Sequence, residues 1–346
     1  MSGRGANVFR QMVAILAKAL QALWTQRQQG QDLLYSRDKD CHVGLRGPRL
    51  RQVVRPERWR SNFVATTKEP SDAETYYYAA GQGVGANLRH ALNDLLEGAK
   101  LYRTWGMLAW RDWKSQTRRT LLGPVWSIVG LGIQVAALGY VYGALLKTDP
   151  TEGYPYIAAG LILWFFISGS MLGGLSVYLG GAGVLKERSL PVSFTVYRYT
   201  FRLLAELCYK FILFVIVAAL AGLAPNWNMA LALPALLIFA LNGLWVILLF
   251  GVIGARFRDV RELVSPLMLI AFLATPVLWK KQLLGGSEFI ATYNPFTHYL
   301  AIMREPLLGH LPSVSSVAIV LALTVAGSAI AIAAFSLAKN RIVFWL

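Results

Sequence analysis

Apolar and polar positions follow one another along this chain in long blocks. Several apolar blocks exceed the roughly 20 residues that a helix rising 1.5 Å per residue needs to cross a hydrocarbon core. Six are predicted to span: 122–146, 154–184, 203–222, 230–254, 263–279 and 314–337. The first carries no charge until Lys147. The second is longer than one straight crossing needs, and Gly173, Gly174, Gly180, Gly181 and Gly183 predict close helix contact or a loosened end. Pro266 and Pro276 predict kinks in the fifth. Residues 280–312 are too polar to cross as one helix, so the pattern predicts two short helices dipping into the outer leaflet.

Ahead of the first span, residues 97–119 alternate Trp105, Trp110 and Trp113 with Arg103, Arg111, Lys114 and Arg118. That suits an amphipathic helix in the headgroup layer, its aromatic side pressed into the acyl boundary. Gly123 and Pro124 fall where such a helix must turn upright. Residues 1–64 read as a polar, Arg-rich, disordered leader, residues 65–119 as a cytoplasmic segment, and residues 120–346 as the membrane domain.

Composition fits an all-α integral membrane protein, with 55% hydrophobic and 15% charged residues. A net charge of +16 would raise nucleic-acid binding in a soluble protein. Here the basic residues of the membrane part crowd alternate loops, including Lys186, Arg188, Arg256, Arg258 and Arg261, while Lys147, Lys280, Lys281 and Arg304 fall on the other side. By the positive-inside rule, both termini are cytoplasmic and nucleic acid is not the partner. Two cysteines, Cys41 and Cys208, build neither a disulfide framework nor a metal site. Glu206 and Lys210, four apart in the third span, read as a structural pair near its cytoplasmic end. His298 has no orienting acid in the sequence and reads as structural. The glycines at 81, 83 and 85 are not followed by Gly-Lys-Ser/Thr and do not make a phosphate loop.

Three stretches together resemble the membrane subunit of ABC-2 type polysaccharide and O-antigen exporters. They are Arg119-Thr120-Leu121-Leu122-Gly123-Pro124-Val125-Trp126; Ala255-Arg256-Phe257-Arg258-Asp259 with the later Thr275-Pro276-Val277-Leu278-Trp279; and Asn294-Pro295-Phe296 followed by Arg304-Glu305-Pro306-Leu307-Leu308-Gly309. The closing Phe344-Trp345-Leu346 resembles the ending of lipopolysaccharide-exporting members.

The resemblance implies a homodimer in the bacterial inner membrane, two ABC ATPase subunits on its cytoplasmic side, and a lipid-linked glycan passing between the permeases. It implies that residues 97–119 form a gate helix. Residues 186–194, with Lys186, Glu187, Arg188, Ser189, Leu190 and Pro191, become the loop that couples to the ATPase. The 283–309 hairpin becomes the periplasmic exit. Trp126, Tyr140, Tyr142, Trp164, Phe165 and Phe166 are candidates for stacking on sugar faces, with interface anchoring and lipid-facing packing as their ordinary alternative. Arg103, Arg111, Lys114, Arg118 and Arg119 are candidates for a pyrophosphate headgroup, and they equally serve the positive-inside rule. Arg256, Arg258 and Asp259 mark a cytoplasmic loop. No cofactor is expected on this chain: it holds neither Gly-x-x-x-x-Gly-Lys-Ser/Thr nor Leu-Ser-Gly-Gly-Gln, so a partner must bind ATP. Export of teichoic acid, small lipids or drugs is the alternative within transport. A membrane glycosyltransferase is the alternative outside it, and the sequence offers no clustered acids for one.

Overall fold

The computed structural model describes residues 84–115, 123–187, 190–281 and 288–346, with the isolated positions Ala14, Lys18 and Gln21. Contacts divide the chain into one unit of residues 1–24 and 84–346 and another of residues 25–83; the second lies outside the described residues. The rest of the expected leader, the glycines at 81 and 83, Arg118, Arg119, Arg188 and Ser189 also lie outside them.

Among the described residues every regular element is a helix: α1 (Val84–Lys100), α2 (Tyr102–Ser115), α3 (Val125–Leu146), α4 (Pro150–Gly174), α5 (Val177–Glu187), α6 (Phe194–Ala221), a 3-10 turn (Trp227–Leu231), α7 (Ala232–Arg256), α8 (Val260–Ala274), α9 (Phe289–Tyr293), α10 (Pro295–Leu307) and α11 (Val314–Trp345). Five stretches are long and apolar enough to cross a membrane: α3, α4, α6, α7 together with its 3-10 turn, and α11.

Local chemistry sets several boundaries. Asp149 accepts from Thr151 N–H at 2.9 Å with Pro150 in the first turn of α4; Asn294 accepts from Phe296 N–H at 2.9 Å with Pro295 opening α10; Ser313 accepts from Ser316 N–H at 3.3 Å to open α11. Each is a side-chain N-cap, satisfying a donor that the first turn leaves unpaired. Gly222, at φ +74°, closes α6.

Three boundaries differ from expectation. The second apolar block stops at Gly174 and restarts at Val177, so it makes one crossing helix and a separate short one. The break lies against α7, where the Gly254 α-carbon meets the Leu175 carbonyl so closely that a β-carbon would overlap it. The fifth expected span forms a helix of only 15 residues, because Thr275, which precedes Pro276, is extended at φ −96°, ψ 138°; proline disfavours the helical conformation at the residue before it. The helix expected over 97–119 is divided at Leu101, and only α2 corresponds to it.

α4 is the centre of the domain. Buried residues run along it from Tyr154 to Gly174, and α3, α6, α7, α8 and α10 pack around it. Gly160 seats the Val277 carbonyl, so the turn after α8 lies directly on α4. Close approach at small residues is how helices associate where lipid tails remove the hydrophobic incentive.

Side-chain bonds sort the connections into two ends. At one end lie Lys339 to Asp94 (3.3 Å), Arg261 to Ser176 (2.6 Å) and Arg258 to the Trp345 carbonyl (3.1 Å). At the other lie Lys280 to Glu152 (2.6 Å), Asn228 to the Gly309 carbonyl (2.9 Å) and His298 to Ser316 (2.9 Å). Alternate connections therefore gather at alternate ends, and α8 leads from the first end toward the second.

Candidate functional site

At the first end, α2 lies along α6. Trp105 stacks on Tyr197 (5.9 Å between centroids) and meets Phe201 edge-on, and Trp113 meets Tyr209 edge-on. Thus two of the three tryptophans expected to enter lipid instead pack on α6; Trp110, Met107 and Tyr102 keep exposed apolar surface. The docking also has a charge-assisted lock. Arg198 Nε donates to Asp112 Oδ2 and Nη2 to Oδ1, both at 2.6 Å, the bidentate fork in which guanidinium and carboxylate fit best.

Behind this lock is a cavity of about 490 Å³ between α2, α5, α6 and the start of α8. Arg198, Arg202 and Arg261 line it with Tyr199, Thr195 and Ser176, and Gly173, Gly180 and Gly181 leave its wall without side chains. Arg202 and Arg198 stand four apart on α6, which puts them on one face. The Arg202 guanidinium lies 4.7 Å from the Tyr199 ring centre, and Arg261 Nη1 donates to Ser176 Oγ at 2.6 Å. Among the described residues only Arg198 of the three has a carboxylate within 4.0 Å. Three cations against one carboxylate make this cavity suited to an anion with several oxygens, since guanidinium forks match phosphate.

The expected coupling loop sits beside it. Lys186 and Glu187 end α5, and Leu190 and Pro191 are half-buried ahead of α6. Asp94 of α1 reaches under the loop: Val192 N–H donates to its Oδ2 at 3.1 Å and Ser193 N–H to its Oδ1 at 2.9 Å, while Ser193 Oγ donates to the Asp94 carbonyl at 2.8 Å. A carboxylate from another helix thus satisfies donors entering α6, where the helix dipole favours negative charge. Lys339 of α11 completes the cluster, binding Asp94 and donating to the His90 carbonyl at 3.0 Å. Tyr178 of α5 is fully buried nearby, and among the described residues its hydroxyl has no hydrogen-bond partner; desolvation, with the Asp94 charge adding, holds its phenol well above the ordinary value, so it stays protonated.

The remaining sequence candidates are scattered. Arg103, Arg111 and Lys114 are exposed on α2, with Arg103 over Tyr102. Trp126 and Tyr140 are exposed on α3, and Tyr142 is half-buried. On α4, Phe165 is exposed under Lys210, while Trp164 is buried between Phe272 and Phe296 and Phe166 is buried against Phe239. Arg256 lies over Phe257 and Trp345, and Asp259 opens α8 without a side-chain cap bond. Glu206 and Lys210 pair at 2.8 Å, as their spacing predicts. Both His298 ring nitrogens are engaged, by Ser316 and by the Thr292 carbonyl, consistent with a structural role.

Sequence reasoning missed Asp94, Asp112, Arg198, Arg202 and Arg261 as site residues. The four-residue spacing of Arg198 and Arg202 was a usable signal for one face of the cavity. The partners were not legible, because Asp112 is 86 positions from Arg198 and Asp94 is 98 from Val192.

Comparison with known proteins places residues 103–308 under the family model for ABC-2 type transporters. The chain is 24% identical over 220 residues to the O-antigen export system permease protein RfbA of Myxococcus xanthus, covering 60% of this chain and 83% of that protein. It is 22% identical over 202 residues to an O-antigen export system permease protein RfbA of Klebsiella pneumoniae, covering 56% of this chain and 76% of that one.

Proposed function

Because the chain belongs to the ABC-2 type transporter family and is a multi-pass membrane transport subunit, we propose that it is the permease of an exporter for a lipid-linked polysaccharide, of the O-antigen or capsule kind, in the bacterial inner membrane. Two copies pair, and each meets an ATPase subunit that binds and hydrolyses ATP. The similarity to two RfbA permeases supports the substrate class.

The observation that carries the reading is the arginine-lined cavity beside α2. A lipid-linked glycan carries its phosphates at the headgroup, and the cavity sets Arg202 and Arg261, neither held by a carboxylate among the described residues, at the basic end of the spans. Arg103, Arg111 and Lys114, exposed on α2, draw the headgroup toward it by long-range attraction. Trp126, Tyr140 and Phe165 keep ring surface on the outside of the protomer, where sugar faces can slide over them. In this reading the basic end is cytoplasmic, the 186–191 stretch meets the ATPase, and Asp94 and Lys339 tie that stretch to α1 and α11.

Six crossings follow if α8 is counted with the turn after it. Fifteen helical residues cover about 22 Å at 1.5 Å each. The apolar stretch 275–279 adds the remainder of a core of about 30 Å. α9 and α10 then form the re-entrant hairpin at the outer side.

The test is complementation of surface glycan in cells lacking the native gene. R202Q and R261Q, alone and combined, are expected to reach the membrane at normal levels, with the double variant lowering surface glycan at least tenfold while lipid-linked glycan accumulates inside. Full surface display by the double variant would overturn the reading.

A further inference from the structure

A second cavity, of about 740 Å³, opens at the end opposite the arginine-lined one, between the start of α4, the 275–281 turn, α9, α10 and the start of α11. Arg304 of α10 lines it and is buried to 4% of its full exposure. One Nη1 bond, at 2.6 Å to the Pro276 carbonyl, and the Tyr156 ring, 4.1 Å from Cζ, hold one edge and one face of its guanidinium. Among the described residues its Nε has no hydrogen-bond partner and no carboxylate lies within 4.0 Å of it. Lining the same cavity are Thr297, whose buried hydroxyl lacks a partner among the described residues, and Lys281; two carboxylates line it as well, Glu152, paired with Lys280, and Glu305, so three cations face two acids there.

A buried cation with no carboxylate within 4.0 Å and with unused donors is uncommon, because taking it out of water is repaid only when its charge and its donors are met. Tyr156 meets part of the need: it is clamped by bonds from its own hydroxyl to the Pro276 and Trp279 carbonyls, at 3.1 and 2.9 Å, and so presents its face to Arg304. The rest is left for a ligand. We propose that this cavity binds an oxyanion group, a phosphate or a carboxylate, with Arg304 supplying the buried charge, Lys281 a second cation and Thr297 a hydroxyl donor. The glycan reading lets the 283–309 hairpin shape the exit at this end but assigns no anion to this cavity, and the site stands on its own residues. Two sources share this chemistry: the phosphate of an anionic lipid headgroup, and an acidic or phosphorylated group on a soluble or glycan ligand.

The test uses the full chain purified in a neutral detergent and carrying R202Q and R261Q, so that the first cavity contributes no anion binding. Thermal stability is followed against inorganic phosphate and against glucuronate at fixed ionic strength. Saturable stabilisation by either is expected, with its midpoint shifted at least tenfold upward by K281Q and by T297V, two substitutions that leave the Arg304 clamp in place, and lost in R304K. The absence of saturable stabilisation, or an unchanged midpoint in K281Q and T297V, would overturn the assignment. Repetition in nanodiscs separates the sources. Loss of the phosphate response in phosphatidylglycerol discs but not in phosphatidylcholine discs supports a lipid headgroup as the natural occupant; a response equal in both supports a soluble or glycan-borne oxyanion.

Discussion

Removing the Asp94 carboxylate is expected to loosen three parts of the molecule together. In D94A, the Val192 and Ser193 N–H groups, now at 3.1 and 2.9 Å from the carboxylate, lose their acceptors. Each buried donor left unpaired costs about 1–3 kcal/mol. Lys339, with 22% of its side chain exposed, also loses its counter-charge. Removing one member of a buried pair costs about 3–5 kcal/mol, and this range describes the whole cluster, because the terms share one carboxylate. At roughly 2–4 °C per kcal/mol for a domain of this size, the melting midpoint should fall by about 6–20 °C. D94N retains one acceptor oxygen and should lose less. K339M should lose least, since the two backbone donors keep their carboxylate. Differential scanning fluorimetry of the purified protein in one detergent gives the order wild type, K339M, D94N, D94A. In the D94N/K339M double variant the two losses should fall short of their sum by about 0.5–3 kcal/mol, as contacting residues do. A D94A protein melting with wild type, or strictly additive losses, would refute the reasoning.

Two other packing predictions follow from single atoms. Y178F removes a fully buried hydroxyl with no hydrogen-bond partner among the described residues, so it should leave stability unchanged or raise it by about 1–3 kcal/mol, seen as a higher melting midpoint in the same assay. G254A places a β-carbon on the Leu175 carbonyl, where neither backbone can yield without parting α7 from the α4–α5 break. Overpacking of this kind costs about 1–3 kcal/mol or more, so detergent-solubilised G254A should melt lower and elute earlier in size exclusion, whereas G130A, in open space on α3, should match wild type.

Five apolar crossings and the Glu206–Lys210 pair were legible in the sequence. Each depends on residues within a few positions of one another: the length of an apolar run, or two charges one turn apart. The grouping of basic loops at one end was legible for the same reason, because positive charge is sorted loop by loop as the chain is threaded through lipid. The clustering of similar stretches also foretold the family.

Only the tertiary structure brought Asp112 to Arg198, Asp94 to the 190–193 stretch and Tyr156 to Arg304. It also turned Trp105 and Trp113 onto α6 when their spacing pointed them at lipid, and it divided the second apolar block where α7 crosses it. Hydrophobicity specifies that a helix enters the membrane but leaves its rotation about its own axis and its choice of neighbours open, since one apolar face suits lipid as well as another. Those are fixed by where two backbones can come close, as Gly160 does with Val277 and Gly254 with Leu175.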